Sequence, residues 1–255
     1  MMNKSELDSQ DIGKLIDICH SNLKNSNQCL KYLIKDRSID KEFIKKYKIG
    51  YFPQNISLLK KYLSEETLIK SSIINYNNTS DFSSYFYLVF PIYSEYGEPI
   101  GISGRSLMND EDRKALGIPK YKNSSYKKSN ILYGLNLSKK DIISKQNVYI
   151  TEGYFDHISM CKNGYTNSVA ICGTAFSQGH FTKLARYTDM MTFILDSDEA
   201  GIKSAERIYL KFVNKGIKLR FLKPCPPYKD ADEFFRENPN GDIHKSFEVI
   251  IPSGW

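Results

Sequence analysis

No run in the 255-residue sequence approaches 18 consecutive apolar residues, the length at which a helix becomes a candidate to cross a bilayer. The opening MMNKSELDSQ lacks the apolar core of a secretory signal. An intracellular, cytoplasmic protein without a membrane partner is therefore expected. Cysteine is scarce: Cys19, Cys29, Cys161, Cys172 and Cys225 form no Cys-x-x-Cys pair and lie mostly within apolar patterns. They read as reduced core thiols, and no zinc site is expected. Histidine is scarcer still. His20, His180 and His244 lack the spacing of metal ligands, and His157 reads as a partly buried side chain satisfied by its neighbours. Arginine is also rare, 7 residues against 29 lysines.

What the chain does hold is an ordinary globular composition, 41% hydrophobic and 25% charged, long enough for one large or two modest cores. Its charge of +7 is uneven when the chain is divided at residue 140. Residues 1–140 carry 22 Lys/Arg against 15 Asp/Glu, and residues 141–255 carry 14 of each. A surplus of this kind suits a polyanionic partner, although a lysine-rich solvated surface gives the same count.

The stretch from Val148 to Asp198 organises the rest. Three apolar runs, Val148–Ile150, Val169–Cys172 and Thr192–Leu195, alternate with segments of helical spacing, and a fourth run follows at Lys218–Leu222. That alternation predicts an α/β fold with a parallel sheet and crossover helices. In such sheets ligands gather beyond the carboxyl ends of the strands. Glu152, the pair Asp196 and Asp198, and the pair Asp230 and Asp232 all fall there. Asp156 lies one turn into the helix after Glu152 and can face the same volume. Carboxylates that converge repel one another unless a cation sits among them, and the hard, oxygen-seeking choice is Mg²⁺ or Mn²⁺. Asp196 and Asp198 taken alone read rather as a loop acid and a helix N-cap before Glu199-Ala200-Gly201; the recurrence of acids at successive strand ends is what favours the ligand reading.

Upstream, residues 3–20 and 26–35 have helical spacing, Ser38 or Asp40 caps a further short helix, and 55–72 reads as one polar helix. Tyr85–Tyr93 and Ile100–Arg105 read as strands joined by a turn at Tyr96-Gly97. Gly101, Ser103 and Gly104 leave room for another backbone or a ligand to approach closely. The guanidinium of Arg105 is suited to gripping a phosphate, whereas Arg37 reads as a surface ion pair. Met108–Asn130 has no periodic pattern and is rich in charge, which predicts a long functional loop. The tail 241–255 offers one short helix pattern and an undecided Trp255.

The phrases EGYFD, CGTAFS, ILDSDEAG and KDADEFF resemble the Toprim domain of bacterial DnaG-type primases, shared more loosely with topoisomerases and some nucleases. FPIYSEYGEPIGISGR and PKYKNSSYKKSNILYGL resemble the basic subdomain that precedes Toprim in those primases. The resemblance runs from about Leu23 to Asn238. It implies a basic α+β front subdomain over 1–140, a Toprim Rossmann-like parallel-sheet domain over 141–240 and a tail over 241–255. It implies the catalytic acids Glu152, Asp196 and Asp198, with Asp156, Asp230 and Asp232 supporting two or more Mg²⁺ or Mn²⁺ ions. It carries nucleotide or template contacts to Arg105, Lys120, Tyr121, Asn123, Lys128, Gly173 and Thr174. Tyr121 is of a type that stacks on bases, and the lysines neutralise phosphate.

The implied activity is synthesis of short RNA primers on single-stranded DNA from ribonucleoside triphosphates, in a cytoplasmic, replisome-associated setting of a bacterial cell or phage-infected host. The zinc-binding module and helicase of the family would be partners in trans. The alternatives are a Toprim nuclease and a primase-like binding subunit without turnover. The sequence departs from the family in one run: DFSSYFYLV puts Tyr85 and Tyr87 where the family usually has arginines.

Overall fold

The structure, a computed structural model, describes residues 9–173 and 175–253. Thr174 and Trp255, both singled out in the sequence, lie outside the described residues, as do the first residues of the helix expected over 3–20. The chain divides into two compact units, one up to Tyr126 and the other from Lys127 onward.

The first unit is built on a four-stranded antiparallel sheet in the order β1 (Gly50–Tyr51), β2 (Leu88–Tyr93), β3 (Pro99–Arg105), β4 (Tyr121–Asn123). Helix Ser9–Asn22 buries Ile12, Leu15, Ile16 and Cys19, an i, i+3, i+4, i+7 stripe, in the same apolar cluster as Phe52, Phe82, Val89 and Ile102. Gly50 lets β1 approach that helix, since a Cβ there would stand 2.6 Å from the Cys19 carbonyl carbon. The β2–β3 turn closes at Gly97, with φ +88° and its N–H donating to the Ser94 carbonyl. Gly104 fulfils the expected close approach, because a Cβ would meet the Phe86 carbonyl oxygen at 2.1 Å.

Asp40, of the two candidate caps, accepts the Phe43 N–H at 2.9 Å. The single helix expected over 55–72 is instead two, Ser57–Lys60 and Glu65–Lys70, because the Ser64 side chain accepts the Thr67 N–H and starts a new helix. The expected long loop is also largely structured. Asn109 caps helix Asp110–Ala115, whose first turn is acidic as the helix dipole favours, and β4 then pairs with β3, Tyr121 opposite Arg105. A three-residue edge strand is too short to show a period of two.

The second unit is a five-stranded sheet in the order β6 (Ser168–Ala170), β5 (Val148–Thr151), β7 (Met190–Ile194), β8 (Lys218–Pro224), β9 (Phe247–Val249). The four strands anticipated from the apolar runs are parallel, and β9 is antiparallel to β8. The region expected to hold only a short helix pattern thus also completes the sheet.

Both faces are covered. On one, Val148, Ile150, Val169, Met191, Phe193 and Phe221 pack with Phe176, Phe181 and Phe212; on the other, Tyr149, Ile194 and Leu222 pack with Met160, Phe234 and Phe235. On the first face the stacked pair Phe193–Phe221 (5.1 Å) joins β7 to β8, and the stacked pair Phe181–Phe212 (4.7 Å) joins helix Gln178–Leu184 to helix Glu199–Phe212. A parallel sheet buried on both faces aligns the carboxyl ends of β5, β7 and β8 on one edge. Among the described residues no helix is long and apolar enough to cross a membrane.

Candidate metal and nucleotide site

Glu152 directly follows β5. Burial pushes its carboxyl up, a hydrogen bond from the Asp196 main-chain N–H opposes this, Asp198 raises it further, and Lys229 and Arg207 lower it. Its Oε1 is buried and has no hydrogen-bond partner. Asp196, one residue beyond Leu195 after β7, is pushed up to about 7, first by burial and then by Glu152 and Asp230. These two carboxylates therefore share one small volume with Asp198 and Asp230, and Lys229 is the cation that both feel.

Asp198 and Asp230 are helix N-caps. One oxygen of Asp198 accepts the Gly201 N–H at 3.0 Å, and one of Asp230 accepts the Glu233 N–H at 2.8 Å. Capping engages one oxygen of each carboxylate, so the cap reading and a ligand role are compatible.

Asp156 and Asp232 do something different. Asp156 accepts the Gly153 N–H through Oδ2 and the Asp232 N–H through Oδ1, both at 3.1 Å, and so joins the loop after β5 to the loop after β8. Its carboxyl is raised by burial and by Asp230, Asp232 and Asp196. Gly153 is required beside it, because a Cβ would stand 2.7 Å from Asp156 Oδ2. The buried Asp232 accepts from Ser159 Oγ at 2.6 Å and from Arg236 Nε at 3.2 Å. Its Oδ1 thus holds helix Ala231–Glu237 to helix Tyr154–Lys162, while its Oδ2 pairs with Arg236 one turn along its own helix.

A second link was not read from the sequence. The Ser197 N–H donates to the Lys229 carbonyl at 2.8 Å, and Ser197 Oγ donates to the Tyr228 carbonyl at 3.1 Å. Asp156 and Ser197 together fasten all three acid-bearing loops. Gly201 was also missed as a determinant: a Cβ there would lie 2.1 Å from the Asp196 carbonyl oxygen, so only glycine admits helix Glu199–Phe212 this close. The ILDSDEAG phrase contains that glycine, but nothing local marks the approach.

Cys172 and Gly173 follow β6, both with positive φ, +49° and +77°. Burial raises the Cys172 thiol, while a hydrogen bond with Tyr154 and the charge of Lys128 act to lower it. Lys128 opens a 3₁₀ turn, Lys128–Asn130, that lies against helix Gln178–Leu184. His157 is fully buried, edge-on to Tyr133 at 5.5 Å. Gly134, with φ +82°, accommodates it, since a Cβ would strike its ring at 2.1 Å.

The remaining candidates lie in the first unit. Arg105 is 7% exposed, donates through Nη1 to Tyr121 Oη at 2.5 Å, and stands over the rings of Tyr121 (5.2 Å) and Tyr32 (5.4 Å). Arg37 stacks on the same Tyr32 at 5.4 Å and donates to its hydroxyl at 2.8 Å. Tyr32 opens a π-turn, Tyr32–Asp36, an element frequent at functional sites. Lys120 is exposed, and Asn123 Oδ1 accepts from Tyr126 Oη at 2.5 Å. Tyr87 stands edge-on to Tyr51 at 5.9 Å and donates to Gln28 Oε1 at 3.2 Å, whereas Tyr85 is 38% exposed.

The donor set is all carboxylate, with one buried unpartnered oxygen and two caps that leave an oxygen each, which fits a hard divalent cation. Among the described residues no three His, Cys, Asp or Glu side chains form a group placed to hold a metal ion by themselves. Mg²⁺ does not need one, because it keeps water and completes its shell with substrate phosphate.

A parallel sheet with this acid-bearing edge defines a Toprim-like unit, and a family model described as Toprim-like matches residues 149–235. The model for the N-terminal domain of the DNA primase catalytic core matches residues 18–139. A DNA primase of Campylobacter jejuni is 31% identical over 260 residues, covering 99% of this chain and 42% of that protein. The structure of the zinc-binding and RNA polymerase domains of the Aquifex aeolicus primase superposes with a TM-score of 0.83 at 26% identity, covering 96% of this chain and 61% of that one. A DnaG primase catalytic domain bound to ssDNA gives a TM-score of 0.75 at 25% identity, covering 92% and 78%. The chain belongs to the DnaG-type DNA primase catalytic-core family. It spans about two-fifths of the length of the curated relatives it matches.

Proposed function

We propose that this chain catalyses template-directed joining of ribonucleoside triphosphates on single-stranded DNA, the activity of a primase catalytic core. The observation that carries this reading is the group Glu152, Asp196, Asp198 and Asp230 at one sheet edge, with a buried carboxylate oxygen left unpartnered. Glu152, Asp196 and Asp198 would hold Mg²⁺ or Mn²⁺, with Asp230 contributing its oxygen not used in capping. The bound ions supply charge neutralisation at the transferring phosphate and activation of the attacking hydroxyl.

Asp156 and Asp232 act from behind this group. Asp156 holds the Glu152 loop and the Asp230 loop at a fixed separation, and Asp232 anchors the helix that Asp230 caps. Lys229 and Arg207 offset part of the carboxylate repulsion before substrate arrives. On the second unit Lys128 would meet phosphate and Gly173-Thr174 would contact nucleotide; on the first unit, taken by itself, Lys120 and Arg105 would meet phosphate, with Asn123 and Tyr121 as nucleotide or template contacts. A zinc-binding module and a helicase are expected as partners.

The test is primer synthesis from labelled ribonucleotides on a mixed single-stranded template with Mg²⁺ or Mn²⁺, with and without a zinc-module protein. Short RNA products that vanish in Asp196→Ala are expected. Metal-dependent shortening of the template without synthesis would replace this reading by a nuclease.

A further inference from the structure

The segment that carries Lys128 is held by its carbonyl groups. Ser177 caps helix Gln178–Leu184 by accepting the His180 N–H at 3.1 Å, and its own hydroxyl proton goes to the Ser129 carbonyl at 2.6 Å. The His180 ring is fully buried. Its Nδ1 lies 3.3 Å from the Ser177 main-chain N–H, a group that can only donate, so Nδ1 is the acceptor and Nε2 bears the proton. Nε2 then donates to the Lys128 carbonyl at 3.3 Å and also faces the Ile131 carbonyl at the end of the same turn. Burial holds the imidazole below its ordinary pKa, in keeping with this single neutral tautomer. Gly179 completes the fit, because a Cβ would stand 2.4 Å from Asn130 Oδ1 and 3.1 Å from the Ser129 carbonyl oxygen.

Consecutive carbonyls at 128 and 129 are therefore gripped by two side chains of one helix end, with a glycine between them. Nothing in the capping of that helix requires this, since the Ser177 side chain would cap it without touching residue 129. The grip fixes the backbone of a lysine whose charge reaches the Cys172 thiol at the end of β6, close to the acid-bearing edge.

We infer that Ser177 and His180 are positioning residues that set the place of Lys128 for a nucleoside triphosphate. The inference rests on the reading of Lys128 as a phosphate contact. The two residues touch no substrate, and their effect passes through Lys128 alone.

The experiment measures binding of a fluorescent nucleoside triphosphate analogue in Mg²⁺ by the full chain. The variants are Lys128→Ala, His180→Ala, His180→Gln, Ser177→Ala and the double variant Lys128→Ala/His180→Ala, each with a thermal melt. Lys128→Ala is expected to weaken binding about tenfold, and His180→Ala about fivefold, the size of one lost hydrogen bond to the lysine backbone. His180→Gln keeps an N–H donor at similar reach and should restore most of the loss. The double variant should bind no more weakly than Lys128→Ala, because a residue that acts through Lys128 has nothing left to act on.

If His180→Ala fails to fold, Ser177→Ala decides, with an expected loss of about threefold, about one weak hydrogen bond. Unchanged binding in the His180 and Ser177 variants, or fully additive losses in the double variant, would overturn the inference while leaving the Lys128 reading intact. Wild-type binding by Lys128→Ala would overturn both.

Discussion

Glu152 and Asp196 show what happens when carboxylates are placed by the fold rather than by their own preference. Asp196 is pushed up to about 7 by burial and by Glu152 and Asp230, against an unfolded value near 3.9. A carboxyl raised by folding stabilises the protein below its unfolded pKa, and that stability is lost as pH rises through the folded pKa. The metal-free protein should therefore lose roughly 1–2 kcal/mol between about pH 4 and pH 8 from this residue, after discounting for its partial exposure. That corresponds to a drop in Tm of about 3–6 °C for a chain of this size. Saturating Mg²⁺ should cancel the slope, because the cation favours the charged form. Asp196→Asn should reduce the metal-free slope to the part contributed by Glu152 and Asp156, whose carboxyls are also raised, and should weaken the Mg²⁺ effect. Melts at pH 5, 7 and 8.5, with Mg²⁺ and with chelator, check all of these, and an undiminished slope in Asp196→Asn would assign it to the other raised carboxyls.

The elements carry those acids, and two contacts decide how well. Helix Glu199–Phe212 approaches the Asp196 main chain only because residue 201 has no side chain. Gly201→Ala should cost about 2–3 kcal/mol as overpacking against backbone that cannot move aside, and it should weaken metal binding more than a substitution elsewhere on the helix, such as Lys203→Ala. Denaturant midpoints and Mn²⁺ titrations measure the two effects. Ser197→Ala removes the Oγ link to the Tyr228 carbonyl but keeps the main-chain link to Lys229. The expected result is a roughly fivefold loss of Mg²⁺ affinity, about one hydrogen bond, with thermal stability almost unchanged. Equal losses of stability and affinity would instead make Ser197 a general structural tie.

How legible this was follows from range. Strands β5 to β8 are apolar runs, and acids just past them are visible as such, so Glu152, Asp196 and Asp230 could be placed at strand ends from sequence alone. Strands β4 and β9 have three residues each and exist through pairing with β3 and β8. Neither leaves a periodic trace. The same holds for side chains: Asp156 and Asp232 look like further ligands in the sequence, and only their contacts across 73–76 residues reveal them as ties between loops. Ser177, His180 and Gly201 left no signal because their partners are carbonyl groups, which sequence does not distinguish.

At the scale of the whole chain, the charge asymmetry depends on where the boundary is drawn. Divided at residue 140, the surplus belongs wholly to the front; divided at the compact units, residues 1–126 hold 18 Lys/Arg against 15 Asp/Glu and residues 127–255 hold 18 against 14. Lys127, Lys128, Lys139 and Lys140 make the difference. Both units are thus net cationic, and the second offsets its own acid cluster with lysines that open its sequence. It also has its own two-sided core around a sheet whose strands all lie within it. Residues 127–255 produced alone should therefore unfold in one cooperative transition and bind Mn²⁺ within about threefold of the full chain, a difference of less than about 1 kcal/mol. They should also retain salt-sensitive affinity for single-stranded DNA. Each phosphate contact contributes about −0.7 to the slope of log K against log salt, so dividing the cationic residues between two units should leave the fragment with about half the slope of the whole. Calorimetry, Mn²⁺ titration and binding to oligo(dT) at stepped salt measure the three quantities. A fragment with no salt-dependent binding would return the nucleic-acid surface entirely to residues 1–126, and an unchanged slope would place it entirely on residues 127–255.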